Sequence, residues 1–234
     1  MNLNIAILKF PGTTCDRDVF RALKMIPNAE PEIIQSTSRP EVLNDAKGII
    51  IPSGYAFADY VRPGALAAYT DIIDKVIEKS AEGRPILGIS NGFQILVEIG
   101  LLPGVLLHNV QARFVCKWVF LRVCEESTLF TEALAGLVIK IPIAHEYGNY
   151  HCPKDILEEL LKKERVAFRY CNTRGEANIE SNPNGSLDNI AGIVNDKGNV
   201  LGMMPQPERA CRTLIGSADG LSILENFVNG VVTS

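Results

Sequence analysis

The sequence predicts an α/β fold with a mainly parallel central sheet, helices on both faces of the sheet, and an antiparallel β extension. In the amino-terminal part, short apolar runs typical of buried strands alternate with stretches of helical periodicity. Such alternation favours right-handed crossovers between parallel strands. From about Ala112 the chain is instead rich in β segments separated by turn residues, which indicates antiparallel pairing.

The elements of the amino-terminal part follow from these patterns. Strands are predicted at Ile5–Phe10, Glu32–Gln35 and Gly48–Ile51 and in the apolar run that ends at Ile89, and helices at Asp16–Met25, Arg62–Lys79 and Phe93–Ile99.

The carboxyl-terminal part is predicted to hold most of the antiparallel strands. They fall at Arg113–Val123, Val138–Ile143, Val166–Cys171, Ile190–Val194 and Val200–Met204, with helices near Lys154–Lys163 and Ser222–Val228. The turn chemistry of this part predicts that its last two strands pair as a hairpin. Because no linker separates the two parts, residues 1–234 are predicted to form one domain.

Gly88, Ser90 and Gly92 fit the G-x-S-x-G pattern of a nucleophile elbow, a sharp strand-to-helix turn that exposes a reactive side chain. Glycines on either side avoid a Cβ clash, and the following helix directs free N–H groups at developing negative charge. Ser90 is therefore a candidate nucleophile. The stretches Phe10–Asp16 and Pro52–Tyr55 also follow predicted strands, so we expect all three to line one pocket.

Composition argues against several classes of function. The formal net charge of −4, with scattered Lys and Arg residues, offers no basic surface for nucleic acid. The first residues do not fit a signal peptide and no apolar run reaches membrane-spanning length, so we expect a cytoplasmic protein without membrane contact. The six cysteines form no C-x-x-C pair and are expected to be reduced thiols. His145, His151 and Cys152 match no zinc spacing, so no metal is predicted.

Gln206 stands between two prolines after a predicted strand. The prolines favour extended backbone, in which alternate residues share a face, so Gln206 and Glu208 are expected to point the same way. A histidine at position 206 would complete a triad, because Glu208 could accept one ring N–H and leave the other nitrogen facing a nucleophile. Glutamine offers no basic nitrogen for that role.

Short blocks of distinctive sequence are ordered along nearly the whole chain. They are Phe10–Gly12 with Cys15 and Asp16; Asp59 and Tyr60 with Arg62, Gly64 and Ala65; Asn91–Leu96 with Gly100–Gly104; Pro142–His145 with Gly148–Tyr150; Phe168–Cys171; Asn182–Ser186 with Ile190–Ile193; and Gly202–Pro205 with Pro207–Arg209. In this order the blocks resemble the class I, triad-type glutamine amidotransferases, and among them the glutaminase subunits of phosphoribosylformylglycinamidine synthase.

This resemblance implies a flavodoxin-like α/β domain that attacks the side-chain amide of glutamine, forms a covalent thioester and passes ammonia to a synthetase for purine biosynthesis. The implied partners are a large synthetase subunit and, in some complexes, a small third subunit. ATP and Mg²⁺ are expected in the large subunit, where formylglycinamide ribonucleotide is aminated. No cofactor is implied for this chain.

The resemblance also assigns the catalytic positions, and the chain departs from the family at two of them. Ser90 stands where the family has its cysteine nucleophile, and Gln206 stands where it has its histidine base. Glu208 matches the acid that orients the base.

Substrate contacts are implied as well. Gly54 and the main-chain N–H of Asn91 are the implied oxyanion donors, and Gln94 is an implied contact in the glutamine pocket. The family loop that usually reads Pro-Gly-Gly-Phe-Ser-Tyr-Gly-Asp here reads Pro-Ser-Gly-Tyr-Ala-Phe-Ala-Asp at residues 52–59. Changes at so many positions look more like natural drift than a single engineered replacement.

These departures predict little or no glutamine hydrolysis. A serine hydroxyl needs a base to take its proton during attack, and loss of triad members lowers turnover by roughly 10⁴ to 10⁶. His145 is a candidate compensating base, although the same histidine accompanies the usual triad in the family. Two interpretations stay open: a glutaminase-type subunit with a degraded triad, or a pseudo-glutaminase that serves the synthetase as a structural or regulatory partner. An α/β-hydrolase is disfavoured. That fold places its catalytic histidine after the catalytic acid, near the carboxyl end, whereas the last histidine of this chain is His151.

Overall fold

The computed structural model describes residues 3–124 and 128–233, and within these ranges the chain forms eleven strands and five α-helices. The strands are β1 (Leu3–Lys9), β2 (Ala29–Gln35), β3 (Gly48–Ile51), β4 (Ile86–Ile89), β5 (Val105–Leu107), β6 (Val115–Val123), β7 (Val138–His145), β8 (Asn149–His151), β9 (Val166–Cys171), β10 (Ile190–Val194) and β11 (Val200–Met203). The helices are α1 (Asp16–Leu23), α2 (Asp71–Ala81), α3 (Asn91–Glu98), α4 (Lys154–Lys162) and α5 (Asp219–Thr233).

One sheet runs through the fold in the strand order β2-β1-β3-β4-β11-β10-β9-β6-β7. The pairings from β2 to β11 are parallel, and those from β11 to β7 are antiparallel. β5 and β8 form a separate antiparallel pair. The predicted fold class, a parallel α/β sheet with an antiparallel extension, is confirmed, and so is the β10–β11 hairpin.

The sheet is buried on both faces, as continuous apolar strands require. On β1, Ile5 and Ile7 join the core beneath α1 and α5, whereas Ala6 and Leu8 join the core beneath α2, α3 and α4. Fully burying a side chain such as Leu8 contributes roughly 1.5–3 kcal/mol, so the two cores together fix the strand ends that carry the candidate site.

Two short strands were not predicted from the sequence. β5 and β8 have three residues each and pair with each other away from the main sheet. A run of three residues carries too little periodicity to distinguish a strand from a loop. β8 lies next to the carboxyl end of β7, and the pair therefore packs close to the His145 end of that strand.

The predicted start of the second helix at Arg62 is wrong, since α2 begins at Asp71. Thr70 adopts extended backbone with φ −90° and ψ 141°, which prevents a continuous helix, and only a single 3₁₀ turn forms before it. Gly64, at φ 83°, brings the loop backbone against α3, where an added Cβ would lie 3.0 Å from the carbonyl carbon of Gln94. The segment is therefore a loop packed on α3.

Gly64→Ala should lower the free energy of unfolding by about 2–3 kcal/mol, because alanine is strained at positive φ and its Cβ would also press on α3. Gly83 is the matched control: its φ is 86°, and among the described atoms nothing lies within 4 Å of an added Cβ. Gly83→Ala should therefore cost only about 1 kcal/mol. Urea denaturation measures both losses, and equal losses would contradict the close packing of Gly64.

Candidate functional site

Ser90 lies at the sharp turn between β4 and α3, with φ 53° and ψ −102°, a conformation that residues with a Cβ rarely adopt. Flanking glycines permit the turn: a Cβ on Gly88 would lie 2.7 Å from the carbonyl carbon of Gly92, and one on Gly92 would lie 2.0 Å from the carbonyl oxygen of Ile51. The Ser90 N–H donates to the carbonyl of Met203 at 2.7 Å, which ties the turn to β11. The strand-turn-helix elbow predicted from the sequence is present.

A cavity of about 200 Å³ lies beside Ser90. Its walls come from all three stretches expected to converge, and from β7 and the segment after β11. The lining includes Thr14, Cys15, Ser53, Gly54, Tyr55, Gln94, His145 and Gln206.

Ser53 and Gly54 hold the end of β3 against the loop after β1. The N–H groups of Thr14 and Cys15 donate to the Ser53 carbonyl, each at 3.2 Å, and a Cβ on Gly54 would lie 2.6 Å from the Cα of Thr13. Within the described ranges the Gly54 N–H has no hydrogen-bond acceptor. Because Gly54 lines the cavity, its N–H is available for the oxyanion-donor role that stays a prediction for this residue.

Asn91 joins helix α3 to the loop after β3. Its Oδ1 accepts from the Ala56 N–H at 2.9 Å, and its Nδ2 donates to Gln94 Oε1 at 2.8 Å and to Asp59 Oδ1 at 3.2 Å. Gln94 in turn donates to the carbonyl of Tyr147 at 2.7 Å and lines the cavity. Burial raises the pKa of Asp59 to about 6, against the opposing hydrogen bond from Asn91. These amides therefore fix the loop that borders the cavity.

The same loop holds an unusual run of left-handed residues. Phe57, Ala58, Asp59 and Val61 have φ values of 54°, 57°, 51° and 72°. Left-handed backbone disfavours residues with a Cβ by roughly 1–2 kcal/mol each. Ala58 stands where the usual family loop has glycine, the residue that adopts this conformation without strain.

Gln206 is buried and hydrogen-bonded at both ends of its amide. Arg209 Nη1 donates to its Oε1 at 2.9 Å, and its Nε2 donates to Ser53 Oγ at 2.8 Å and to the carbonyl of Ala144 at 3.4 Å. The side chain of Gln206 thus links the segment after β11 to the segment after β3. It presents no basic atom to Ser90.

Glu208 does not share the cavity with Gln206, so the expectation that the two side chains share a face is wrong. Residues Pro207–Arg209 form a 3₁₀ turn, whose three-residue period replaces the alternation of an extended chain. Glu208 is buried, and neither carboxyl oxygen makes a hydrogen bond of normal geometry with a described residue. Burial raises the pKa of Glu208 to about 8. Glu208 is thus buried outside the cavity that Gln206 lines.

His145 lines the cavity at the end of β7 with its tautomer fixed. Asn109 Nδ2 donates to the carbonyls of Arg113 and His145 at 3.0 and 2.9 Å, so its Oδ1 must accept. That oxygen lies 3.1 Å from both the Gly148 N–H and His145 Nδ1, which places the ring proton on Nδ1. Burial lowers the pKa of His145 to about 4, so the ring is neutral near pH 7. Its Nε2 makes no hydrogen bond to Ser90 or to any other described residue.

The described residues contain no group of three His, Cys, Asp or Glu side chains arranged to hold a metal ion. None of the helices within the described ranges is long and apolar enough to cross a membrane.

Comparison with known proteins identifies the family. Residues 2–220 match the model of the CobB/CobQ-like glutamine amidotransferase domain. The chain is 45% identical to the phosphoribosylformylglycinamidine synthase subunit PurQ of Aquifex aeolicus (strain VF5) over 222 residues, which cover 94% of this chain and 97% of that protein. The chain belongs to the glutamine amidotransferase family, within its PurQ group. The PurQ subunit of Methanosarcina barkeri is also 45% identical, over 97% of both chains.

Solved structures of this family agree with the fold. A chain in the structure of PurLQS from Thermotoga maritima matches with a TM-score of 0.85 at 40% identity, covering 98% of this chain and 99% of that chain. A glutamine amidotransferase from Thermotoga maritima matches with a TM-score of 0.62 at 16% identity over the full length of both chains, which shows the shared fold alone.

Ala58→Gly should raise the free energy of unfolding by about 1 kcal/mol, because glycine adopts the left-handed backbone at φ 57° without strain. The greater conformational entropy of glycine in the unfolded chain offsets only part of this stabilisation. Ala81→Gly in helix α2 is the control and should destabilise, since that position is helical. Thermal unfolding of both variants measures the difference. A loss of stability in Ala58→Gly would contradict the assigned strain.

Glu208→Gln should remove part of the pH dependence of stability. The folded state holds the Glu208 proton up to a pKa of about 8, above the unfolded value of 4.5, so the free energy of unfolding falls as pH rises between these values. The variant should match the native chain near pH 5 and exceed it at pH 8.5 by on the order of a few kcal/mol. The nearby thiols of Cys15 and Cys211 have pKa values raised by burial to about 11 and 12, outside this window.

Denaturant titrations at the two pH values measure this effect. Asp18 and Arg209 also act on Glu208 and are present in both proteins, so their contribution cancels to first order. Glu225→Gln, at an exposed position of α5, is the matched control. A difference in the free energy of unfolding between the native chain and Glu208→Gln that stays constant from pH 5 to 8.5 would contradict the raised pKa of the buried Glu208 carboxyl.

Proposed function

We propose that this chain is the PurQ-type subunit of phosphoribosylformylglycinamidine synthase and that, with Ser90 and Gln206 in its site, it does not hydrolyse glutamine. The observation that carries the proposal is Gln206 at the base position, tied by hydrogen bonds to Ser53 and Arg209. With no base at that position, the Ser90 hydroxyl keeps its proton and remains a weak nucleophile. Turnover then falls by roughly 10⁴ to 10⁶ relative to an intact triad.

In this proposal the chain is a structural or regulatory subunit of the synthase complex and does not supply it with ammonia. Its partner is the large synthetase subunit, which holds ATP and Mg²⁺ and aminates formylglycinamide ribonucleotide with free ammonia, and a small third subunit joins them in the cytoplasm. Support comes from the 45% identity with PurQ subunits over nearly the whole chain and from the fit to a chain of PurLQS. The chain has no cofactor of its own in this scheme.

A weak serine-based glutaminase is the alternative function. It is favoured by one observation, the neutral His145 ring in the cavity wall with an unprotonated Nε2. A general base must lie within hydrogen-bond reach of the proton that it takes. Among the described contacts none joins His145 to Ser90, and the proposal of an inactive site therefore takes precedence.

The proposal predicts which nitrogen source the complex uses. With the chain assembled on the large subunit, ammonia should support formation of the amidine product, and glutamine should support it only at background level. Replacing both groups, Ser90→Cys with Gln206→His, should raise the glutamine-supported rate by at least about 100-fold, because a thiol and a base then act as one unit.

Ser90→Cys alone is the control, since the thiol still lacks its base, and its glutamine-supported rate should stay close to that of the native chain. Size-exclusion chromatography first establishes that each variant binds the large subunit. A native complex that uses glutamine as readily as ammonia would show that Ser90 is a working nucleophile and would favour His145 as its base.

A further inference from the structure

A surface groove of about 550 Å³, separate from the cavity beside Ser90, has an apolar floor. Its lining includes Trp118, the only tryptophan of the chain, together with Pro142 and Ile215. Trp118 and Ile215 are 36% and 51% exposed, and Leu214, the neighbour of Ile215 in the chain, is 93% exposed. Exposed apolar residues grouped in this way are typical of protein interaction sites, where tryptophan is among the residues that contribute most to binding.

The Trp118 ring is held by contacts on β7 and before α5. Lys140 Nζ lies 5.1 Å from the ring centroid, a cation–π contact. An added Cβ on Gly216 would lie 2.6 Å from Cζ2 of the ring, so the backbone approaches it closely. A side chain already fixed in the free protein loses little conformational entropy when a partner binds. Trp118 is therefore a preorganised apolar contact point in the groove.

The rim of this groove is basic. Lys117 and Arg209 line the groove, and Arg212 lies close in the chain to the exposed residues 214 and 215. All three basic side chains belong to exposed residues. None of them makes an ion pair with a carboxyl group in residues 3–124 or 128–233. Their charges are thus available to a partner.

The two acidic residues of the groove leave this positive charge in place. Asp18 is paired with Arg21, whose Nη1 lies 3.6 Å from Asp18 Oδ1. Glu208 is buried, and burial raises its pKa to about 8, so its carboxyl is mostly protonated at pH 7. The groove is therefore locally positive on a chain whose formal net charge is −4, and it attracts negatively charged groups.

We propose that this groove is the docking site for an acidic segment of the large synthetase subunit, which places an apolar side chain against Trp118 and carboxylates on the basic rim. Charge favours this occupant over a second copy of the chain, because a symmetric contact would bring the two basic rims together. Arg209 lines both the groove and the cavity beside Ser90, so the two are continuous. The inference rests on the proposed function, since it names the surface that binds the proposed partner.

Fluorine NMR of the full chain tests the docking site. Labelling with 5-fluorotryptophan gives one resonance, because Trp118 is the only tryptophan. Adding the unlabelled large and small subunits should shift or broaden this resonance, while size-exclusion chromatography follows complex formation. A complex that leaves the resonance unchanged would overturn this inference and leave the proposed function standing. Failure to form any complex would overturn the proposed function, and this inference with it.

The basic rim is tested by reversing its charge. Lys117→Glu with Arg212→Glu should weaken binding of the large subunit at least about tenfold, and more at low than at high salt. Lys154→Glu with Lys162→Glu makes the same change of charge on α4, outside the groove, and should alter the affinity by less than about twofold. Titration calorimetry measures both. Equal effects of the two pairs of replacements would overturn the inference.

The apolar floor is tested separately. Leu214→Ser with Ile215→Ser should also weaken binding at least about tenfold, with little dependence on salt, because no charge is changed. Both residues are exposed, so the replacements leave the core intact. Ile77→Ser, at a 38% exposed position of α2, is the matched control and should leave the affinity unchanged. Native affinity in the Leu214 and Ile215 variant would overturn the inference.

Single-stranded nucleic acid also binds surfaces that combine aromatic and basic side chains. The negative net charge of the chain disfavours that occupant. A single-stranded RNA oligonucleotide added to the fluorinated chain should therefore leave the Trp118 resonance unchanged. A resonance that responds to the RNA and not to the large subunit would overturn the inference.

Discussion

The hydrogen bond from Gln206 to Ser53 fixes the arrangement of side chains in the candidate site. β4, which delivers Ser90, lies between β3 and β11 in the sheet, so this bond joins the segments that follow β3 and β11 and spans the elbow. A family histidine at position 206 would use its ring nitrogens toward the nucleophile and Glu208. The amide of Gln206 instead donates to Ser53 and accepts from Arg209. Glu208 is buried without a hydrogen bond of normal geometry to a described residue. Each of these Gln206 hydrogen bonds contributes a net stabilisation of roughly 1 kcal/mol.

Ser53 and Gln206 act as a coupled pair of changes. A hydroxyl at position 53 gives the Gln206 amide an acceptor, and without it the buried N–H would lose a strong hydrogen bond, at a cost of roughly 1–3 kcal/mol. The strained elbow at Ser90 and the Asn91 contacts lie beside this pair, and the loop with left-handed Ala58 borders the same cavity. The described site therefore combines a strained elbow at Ser90 with a hydrogen-bonded pair of side chains at positions 53 and 206.

Much of this could be predicted from the sequence because the signals were local. Apolar runs and glycine spacing located the strand ends, and the elbow at Gly88–Gly92 placed Ser90. The prediction failed where tertiary contacts decided the backbone: Gly64 packs on α3 and replaces the expected helix with a loop, and the 3₁₀ turn after Gln206 sends Glu208 away from the cavity. The link between Ser53 and Gln206 joins positions far apart in the chain, and no local pattern could have revealed it.

A double-mutant cycle on Ser53→Ala and Gln206→Met tests the central claim most directly, with the free energy of unfolding as the measured quantity. Both replacements remove the hydrogen bond with little change of volume, and the other losses of each variant cancel in the cycle. The account predicts a favourable coupling energy of about 1 kcal/mol between the two side chains. Additive effects, with a coupling energy near zero, would show that Gln206 is not bound to Ser53 and would contradict the hydrogen-bonded link across the elbow.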